Sequence, residues 1–444
     1  MVGVTLTVGL VASFLVFFLR PIYGLIIYIA AFAWYPTYVT VPVGTIDFTV
    51  RRIVMLALFA KLFLQTDLPD RFKLMRLDKL VIIYFGAQIL AGATTTQSLM
   101  AFLENRGGAI FDMLLPYFAV RMIVRNKQQY LTLLKGVLIL AAPLAIAGFY
   151  QCMTGDNPVG FFKKYYAWGR VKRDIPVSRA GFFRADITFS HWIMYGLFFS
   201  MFGPICAGLL RHVRKGKLLC AIGLGLMGVG VVSSVSAGPC LGALLAILFI
   251  ILYFYRRYWR IALLLAILML GIVEIIGSRH FYKQIDRFTF SGRTARHRVR
   301  LMEVALLEGG MRGHWLTGFG WGVDPGWMPK IYPGTDRSTD ITNHYLVVLC
   351  RFGLVGLLPF LAVMIASAKK LVDSYKVSMY KSDRWLVWCL SAALFGSAAS
   401  FLGAYIFGPP TSVYYMMVGL AGAMPAIVAR PSSLRGGKLV RFVT

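Results

Sequence analysis

Residues 218–255 read LLCAIGLGLMGVGVVSSVSAGPCLGALLAILFIILYFY, without a single charged side chain. The run is long enough for two membrane-spanning helices, because a helix needs about 20 apolar residues to cross the hydrocarbon core. The small residues at Ser236–Pro239 predict a tight turn between them. Basic residues flank the run at 211–217 and at 256–260. Two helices would therefore cross and return, leaving both basic ends on one side.

The composition of the whole chain agrees with a membrane protein. Of its 444 residues, 58% are hydrophobic and 15% are charged, against about 25% charged residues in soluble proteins. Lys and Arg number 47 and Asp and Glu 18, which gives a net charge of +29. Nucleic acid is not expected as a partner, since the basic residues lie in short stretches between apolar runs. Anionic lipid or an anionic substrate fits better.

Apolar runs recur along the chain and predict an all-α polytopic membrane protein with about 12–13 transmembrane helices. The predicted spans are 3–19, 22–38, 53–65, 79–97, 108–124, 130–152, 190–210, 218–236, 238–255, 260–278, 343–367, 385–407 and 411–429. The first run lacks a basic start and a small-residue cleavage site, so it is interpreted as a retained span and not a signal peptide. The six cysteines form no CxxC pair, and most are predicted to be small buried residues.

The positive-inside rule orients the spans, because short connections rich in Lys and Arg stay in the cytoplasm. Three basic connections, at 211–217, 256–260 and 369–384, fall on the same side of the predicted topology, together with the basic C-terminal tail. The uncharged connections Ser236–Pro239 and Gly408–Thr411 then face outward. These independent connections agree with one orientation.

This orientation leaves two long segments outside the membrane. The predicted segments are N-terminal transmembrane helices at 1–152, a first periplasmic segment at 153–189, central transmembrane helices at 190–278, a second periplasmic segment at 279–342, C-terminal transmembrane helices at 343–429 and a basic cytoplasmic tail at 430–444. Long connections in a tight helical bundle are usually functional. A functional site is therefore expected in the two outer segments.

The first outer segment ends on Ser178-Arg179-Ala180-Gly181-Phe182-Phe183-Arg184, just before a predicted span. Arginine at this boundary can bind a phosphate group, since guanidinium forms paired hydrogen bonds with phosphate oxygens. Interfacial arginine also extends towards lipid headgroups without a specific ligand. Gly181 permits a close backbone approach, which favours a binding role for Arg179.

The second outer segment carries five arginines with no acid between positions 287 and 300, namely Arg287, Arg293, Arg296, Arg298 and Arg300. In a helix, Arg293, Arg296 and Arg300 would share one face and Arg298 would point elsewhere. Cations this close repel one another, so binding of a polyanion such as pyrophosphate or a charged glycan becomes favourable. A solvated basic face is the alternative.

His344 lies where the second outer segment re-enters the membrane. A neutral imidazole there can take a proton from an incoming hydroxyl, and a histidine that caps the helix start is the alternative. His191 and His314 stay open as further participants. The preceding run Gly318-Phe319-Gly320-Trp321-Gly322 lacks a strand–helix context, so it predicts a tight turn and not a nucleotide-binding loop.

Acidic residues are few in the outer segments. The sequence contains no paired-carboxylate signature, no HExxH motif and no DxD-type metal site. A metal-dependent nucleotide-sugar transferase needs such acids to hold its ion. Their absence favours metal-independent chemistry on an already activated donor, without a cofactor.

The order of these elements resembles the O-antigen ligase and O-antigen polymerase superfamily of bacterial envelope glycan transferases. The resemblance covers roughly residues 178–365, and Arg20-Pro21-Ile22-Tyr23-Gly24 also resembles the start of glycan-ligase relatives. The stretches that carry it are Arg179-Ala180-Gly181-Phe182-Phe183, Arg298-Val299-Arg300-Leu301-Met302-Glu303-Val304-Ala305-Leu306, Gly318-Phe319-Gly320, Asn343-His344-Tyr345-Leu346 and Gly353-Leu354-Val355-Gly356-Leu357.

The resemblance implies metal-independent transfer of a glycan from a polyprenyl-pyrophosphate carrier to an acceptor hydroxyl. The reaction would take place on the periplasmic face of the bacterial inner membrane, in an architecture similar to lipid-linked-sugar glycosyltransferases of the GT-C type. The implied partners are the lipid-linked donor, a glycan, glycolipid or glycoprotein acceptor, and the bilayer. Arg179 and Arg298 are expected to bind the pyrophosphate, with Arg184, Arg293 and Arg300 in support.

Two positions depart from the family pattern. Counting back from Gly353, the usual His or Asp falls on Thr342, so His344 and Asp340 are both candidate bases, with Asn343 in support. Arg351 stands where many members carry an acid. Its spacing of seven residues from His344 predicts that the two side chains face one cavity.

Other functions remain open beside ligase-like transfer. An O-antigen or exopolysaccharide polymerase shares the donor chemistry and differs in its acceptor. A polysaccharide or lipid transporter would carry basic residues inside its spans and often internal repeats, whereas here the arginines concentrate in two segments and no repeat is evident. A structural envelope-assembly protein would have no need of clustered arginine.

Overall fold

The computed structural model describes residues 1–43, 46–64, 72–96, 98–165, 176–213, 215–276, 292–320 and 341–428. Over these ranges the chain is mostly helical, with two short antiparallel hairpins. The helices are α1 Val2–Phe18, α2 Pro21–Ala33, α3 Val50–Leu64, α4 Arg76–Thr95, α5 Leu99–Ala109, α6 Leu115–Ile123, α7 Lys127–Thr154, α8 Trp192–Cys206, α9 Lys217–Ser233, α10 Ala237–Leu252, α11 Trp259–Ile276, α12 Gly292–Met302, α13 His344–Val377, α14 Lys381–Gly403 and α15 Pro409–Val428. The hairpins pair β1 Val41–Val43 with β2 Ile46–Phe48, and β3 Ser178–Arg179 with β4 Phe182–Phe183.

The fold is an all-α polytopic membrane protein, as predicted. A helix lies at each predicted span. Among the described residues, six helices are long and apolar enough to cross a membrane: α4, α7, α8 with its 3₁₀ extension to Arg211, α13, α14 and α15. The shorter apolar helices α1, α2, α9 and α10 add 10–17 residues each. The cores of α8 and α15 are 83% buried, so these two helices form the centre of the bundle.

The cysteines lie among the helices as small apolar residues, as predicted. Cys240 is partly buried and the other five are buried, and all six are free thiols. Cys206 and Cys389, for example, are fully enclosed in the helical core. Their side chains therefore contribute to packing.

Three basic connections meet at one end of the bundle. The Arg211 guanidinium donates to the Tyr253 hydroxyl (3.2 Å), which in turn donates to the Lys381 carbonyl (3.3 Å). The Lys127 ammonium lies 2.7 Å from the Asp383 carboxylate at the same end. The ends of α8, α10 and α14 are thus neighbours, which is the grouping that the positive-inside argument predicts.

Glycines bring α10 and α14 into close contact. A β-carbon on Gly242 would lie 2.7 Å from the Gly396 carbonyl oxygen, and one on Gly396 would lie 2.4 Å from the Gly242 carbonyl oxygen. The Ser400 hydroxyl donates to the Gly238 carbonyl (3.1 Å) across the same contact. Gly238 and Gly242 form a GxxxG pair, which lets helix backbones approach closely in a membrane. This contact fixes the end of α14 beside the start of α10.

Helix α13 is broken at Gly353, whose φ of 60° and ψ of −159° are available essentially to glycine alone. The segment Trp315–Gly320 inserts at the break. The Phe319 and Gly320 N–H groups donate to the Cys350 and Arg351 carbonyls (2.7 and 3.1 Å). The Leu354 N–H donates to the Trp315 carbonyl (2.7 Å). The loop thereby satisfies backbone groups that the break would leave unpaired at membrane depth.

Candidate functional site

The hairpin of β3 and β4 positions the first pair of arginines. Its two central residues, Ala180 and Gly181, have φ values of 53° and 82°, as a type I′ turn requires. The Arg184 N–H donates to the Val177 carbonyl (2.9 Å) just beyond the paired strands. The next N–H, of Ala185, donates to the Ser233 carbonyl at the end of α9 (2.9 Å). The hairpin is therefore docked on the turn between α9 and α10.

Arg184 is buried against that turn. Its Nη2 donates to the Ser236 hydroxyl at 2.8 Å. Its guanidinium carbon lies 4.0 Å from the centre of the Trp192 ring, close enough for a cation–π interaction. The Nε atom has no hydrogen-bond partner among the described residues. The guanidinium is thus held in a fixed orientation with unused donor capacity.

Arg298 reaches the same region from the second outer segment. It lies on α12, and its side chain is 9% exposed. Its Nε donates to the Thr342 hydroxyl at 3.2 Å. A β-carbon on Gly403 would lie 3.5 Å from its Nη1, so the guanidinium sits against the end of α14. The close α10–α14 packing brings this end of α14 beside the turn that holds Arg184.

Arg179, Arg184 and Arg298 form what we call the arginine cluster. Burial lowers the pKa of the Arg184 guanidinium, and the positive charges of Arg179 and Arg298 lower it further. Burial and the charge of Arg179 likewise lower the pKa of Arg298. Arginine nevertheless stays protonated at neutral pH. The cluster thus concentrates positive charge in a partly desolvated place, which favours an anion.

The other predicted anion ligands lie elsewhere or outside the described residues. Arg300 is exposed and forms a salt bridge with Glu308, so the structure does not bring it to the cluster. Arg293 lies at the start of α12, and the position of its side chain is outside what the structure describes. Asp340 and Arg287 also fall outside the described residues. Lys163, in the first outer segment, is paired with Asp186 (3.0 Å).

The predicted base His344 lines a separate cavity of about 260 Å³. Other lining residues include Arg52, Arg106, Asp112, Arg351 and Tyr405. His344 is 8% exposed and its ring stacks on Tyr405, with centroids 5.5 Å apart and planes inclined by 21°. Its Nδ1 is buried and has no hydrogen-bond partner in the described part of the chain.

The helix-capping alternative for His344 is wrong. Asn343 caps α13, because its side-chain oxygen accepts a hydrogen bond from the Leu346 N–H at 3.1 Å. The imidazole of His344 is therefore not needed to begin the helix. Its ring points among aromatic side chains, with Phe360 and Phe401 centred 5.3 and 5.1 Å away.

Arg351 faces the same cavity as His344, as their spacing predicts. Its Nη1 donates to the Tyr405 hydroxyl at 2.6 Å. Arg106 stands nearby on α5, where its Nη1 donates to the Gln88 side-chain oxygen at 2.7 Å. Its guanidinium also lies over the Phe352 ring, 5.0 Å from the centroid. Arg106 and Arg351, together with Arg52, thus line one partly open cavity.

The arginine cluster and the cavity are neighbours along two stretches of chain. Thr342 contacts Arg298 and His344 lines the cavity, two residues later. Gly403 contacts Arg298 and Tyr405 lines the cavity, again two residues later. Two residues span at most about 7 Å. The arginine cluster and the cavity are therefore adjacent in the fold.

Four of these residues did not emerge from the sequence: Trp192, Ser236, Arg106 and Tyr405. Ser236 could have been identified from the sequence, because it lies in a turn that is predicted to face outward. That turn has no charged residue, so the Ser236 hydroxyl is free of a competing charged neighbour within it. Trp192 follows His191 at a predicted span start, where an aromatic residue is expected in any membrane protein. Nothing local distinguishes Arg106 or Tyr405.

Comparison with known families gives one match. Residues 222–361 match the family model of the O-antigen ligase. No curated protein matches the chain. The matched range runs from α9 to beyond the break in α13, and it contains Ser236, Arg298, Thr342, His344 and Arg351. Arg179 and Arg184 precede it and join its residues only through the fold.

Proposed function

Because the chain belongs to the O-antigen ligase and polymerase superfamily, whose members join glycans, we propose that it transfers a glycan from a polyprenyl-pyrophosphate carrier to an acceptor hydroxyl. The observation that carries the proposal is the arginine cluster. Arginines from two segments more than a hundred residues apart converge beside one turn. Guanidinium groups this close together repel one another, and a bound pyrophosphate would offset that repulsion.

The proposed role of the cluster is to hold and neutralise the leaving group. Guanidinium groups bind phosphate oxygens in a paired geometry. Negative charge grows on the pyrophosphate as its bond to the sugar breaks, so fixed cations stabilise the transition state more than the ground state. Arg184 supplies a buried Nε donor for such an oxygen, and Arg298 approaches from the opposite segment.

The proposed reaction is a single displacement. The acceptor oxygen bonds to the anomeric carbon while the bond from that carbon to the pyrophosphate oxygen breaks, and the polyprenyl pyrophosphate leaves with the electron pair. The acceptor proton passes to His344, whose Nδ1 is unpartnered among the described residues, and then to solvent. Asp340 is the second proposed base. Inversion at the anomeric carbon follows from one displacement.

The proposed site faces the periplasm of the bacterial inner membrane. Its support is the grouping of basic connections at the opposite end of the bundle, because the positive-inside rule assigns that end to the cytoplasm. The arginine cluster sits at the other end, with the outward turn between α9 and α10.

Transfer by the purified chain tests this function. The chain in lipid nanodiscs is incubated with a polyprenyl-pyrophosphate oligosaccharide and an acceptor glycolipid, and glycosylated acceptor is measured by mass spectrometry. We expect product and free polyprenyl pyrophosphate in equal amounts, unchanged by a chelator. Among the described residues no three His, Cys, Asp or Glu side chains group as metal ligands. Loss of turnover with chelator would contradict metal-independent transfer.

The acceptor separates a ligase from a polymerase. A ligase joins the glycan to a different molecule, whereas a polymerase extends a second copy of the lipid-linked repeat unit. Donor supplied alone distinguishes the two. Longer lipid-linked glycans would identify a polymerase, and transfer only to the added acceptor would identify a ligase, which we favour.

A further inference from the structure

We propose that the cavity lined by His344, Arg106 and Arg351 binds one sugar ring that carries an acidic group, and that this ring belongs to the acceptor. The inference rests on the proposed function, since it assigns the second substrate of that reaction. It uses side chains that the pyrophosphate clamp does not.

The charges around the cavity favour an anion. Arg106 is buried and Arg351 partly buried, and both residues line the cavity. The Asp112 carboxylate is engaged by Arg51, which lies outside the lining, at 2.7 Å and by Arg52 at 3.6 Å. The remaining lining acid, Glu104, is partly exposed. Arg106 and Arg351 thus present guanidinium groups to the cavity, and an acidic group on a ligand can accept paired hydrogen bonds from such donors.

The size and walls of the cavity fit a single ring. Its volume of about 260 Å³ is below the roughly 300–1,000 Å³ of pockets for drug-sized ligands, so it has room for one sugar unit and not for a chain. Tyr405 and Phe407 stack with their planes inclined by 22° and centroids 5.4 Å apart. Flat aromatic walls with a few fixed polar groups are typical of sites that orient a small ring.

A buried polar atom also points to a missing partner. Nδ1 of His344 is enclosed and has no hydrogen-bond partner in the described residues, and a buried unsatisfied polar atom is costly. A ring hydroxyl would satisfy it. Thr342 and Gly403 lie beside Arg298 and are each two residues from a residue that lines the cavity, so the cavity adjoins the arginine cluster. The cavity is therefore suited to present an acceptor hydroxyl to the bound donor.

Binding of matched sugars to the full chain in nanodiscs tests the inference. The probes are methyl glucoside, methyl glucuronide and glucose 6-phosphate, read by saturation-transfer NMR. A carboxylate and a phosphate offer guanidinium the same paired oxygens, so both acidic probes are included. We expect either acidic sugar to bind at least about tenfold more tightly than the neutral one, since hydrogen bonds to charged groups are the strong ones. The stronger of the two identifies the acidic group.

Substitutions of the two lining arginines test whether the acidic sugars bind in this cavity. Arg351→Gln and Arg106→Gln should each remove most of the preference for acidic sugars, whereas Arg351→Lys should retain part of it. Arg312→Gln, an exposed change in the second outer segment, should leave it intact. Equal binding of neutral and acidic sugars, or a preference that survives both Gln variants, would overturn the inference.

Binding of inorganic pyrophosphate tests the arginine cluster independently of the sugar site. Inorganic pyrophosphate should bind the wild-type chain and Arg351→Gln equally, which also demonstrates that the variant is folded, and should bind Arg298→Gln weakly. If pyrophosphate binds as expected but the sugars are not discriminated, only the sugar site fails. If pyrophosphate does not bind the wild-type chain, the proposed function fails as well.

Discussion

Arg298 is a buried arginine whose Nε donates to the Thr342 hydroxyl and whose guanidinium lies against the end of α14. Replacement by Gln shortens the side chain, keeps a polar amide and removes the charge. A hydrogen bond to a charged group contributes about 1.5–3 kcal/mol, and each 1.4 kcal/mol is tenfold in rate. We therefore expect Arg298→Gln to lower the rate of glycan transfer at limiting donor by about 10- to 100-fold.

The control for that variant lies on the same outer segment. Arg312 is exposed, so Arg312→Gln removes an equal charge without touching the cluster. Its transfer rate should stay within about twofold of wild type, because surface charges contribute little. Equal losses in both variants would mean that the overall positive charge attracts the donor and that Arg298 has no special place.

His344 allows a test that separates a base from a packing residue. A general base contributes about 10²–10⁴-fold, and an activated donor places the expected loss for His344→Ala at the lower end, about 100-fold in kcat, with donor affinity unchanged. The variant leaves space for a small ring beside Tyr405. Added imidazole should restore part of the activity. A loss of donor affinity, or no rescue, would argue for a purely structural role.

The sequence predicted which arginines share a face of α12, but it did not predict which face packs inward. Arg296 and Arg300, two residues of the predicted basic face, are exposed. Arg298 is buried together with Leu301 and Ala305, at positions i, i+3 and i+7. The apolar residues Leu301 and Ala305 of this series were visible in the sequence and indicate the inward face. Gly403, which lies beside Arg298, and Ser236, which accepts from Arg184, are distant in sequence, so only the fold identifies them.

At the scale of elements, the break in α13 depends on one glycine. A β-carbon on Gly353 would lie 2.2 Å from the Leu316 carbonyl oxygen, and its φ and ψ belong to a region closed to other residues. We expect Gly353→Ala to destabilise the protein by more than about 2 kcal/mol, since strain of this kind costs about 1–3 kcal/mol before the overlap is counted. Thermal unfolding in detergent measures it.

Gly225→Ala is the matched control. Gly225 lies inside α9 with no atom within 4 Å of an added β-carbon. Alanine is a better helix former than glycine by about 1 kcal/mol, so the unfolding temperature should stay the same or rise slightly. A Gly353→Ala variant as stable as this control would mean that α13 can run straight and that the inserted loop is dispensable.

The spans were predictable because apolar length alone identifies a helix that crosses a bilayer. The break in α13 was not, since residues 343–367 predict one span in which Arg351 is the only charged residue. What interrupts it is the loop Trp315–Gly320, which comes from elsewhere in the chain and supplies hydrogen bonds on both sides of Gly353. The run Gly318-Phe319-Gly320 did predict a tight turn, and a Cβ on Gly318 would lie 2.6 Å from the Cys350 carbonyl oxygen. The contact of this turn with α13, however, could not be predicted from the neighbouring sequence.

At the scale of the whole molecule, the two ends of the bundle should face opposite compartments. Arg312→Cys lies in the second outer segment and Lys215→Cys in a basic connection, and both positions are exposed. The native cysteines are buried or partly buried, so the wild-type chain serves as the background. In spheroplasts, a membrane-impermeant maleimide should label Arg312→Cys and spare Lys215→Cys. The reverse pattern would place the arginine cluster in the cytoplasm.

The most direct measurement is the affinity of the purified chain for polyprenyl pyrophosphate and for polyprenyl monophosphate in nanodiscs, with wild type and Arg184→Gln side by side. We expect wild type to bind the pyrophosphate at least about tenfold more tightly than the monophosphate, because three guanidinium groups converge where the second phosphate adds charge. Arg184→Gln should lose most of that preference. Equal affinity for the two lipids, or a preference that survives the substitution, would contradict the clamp.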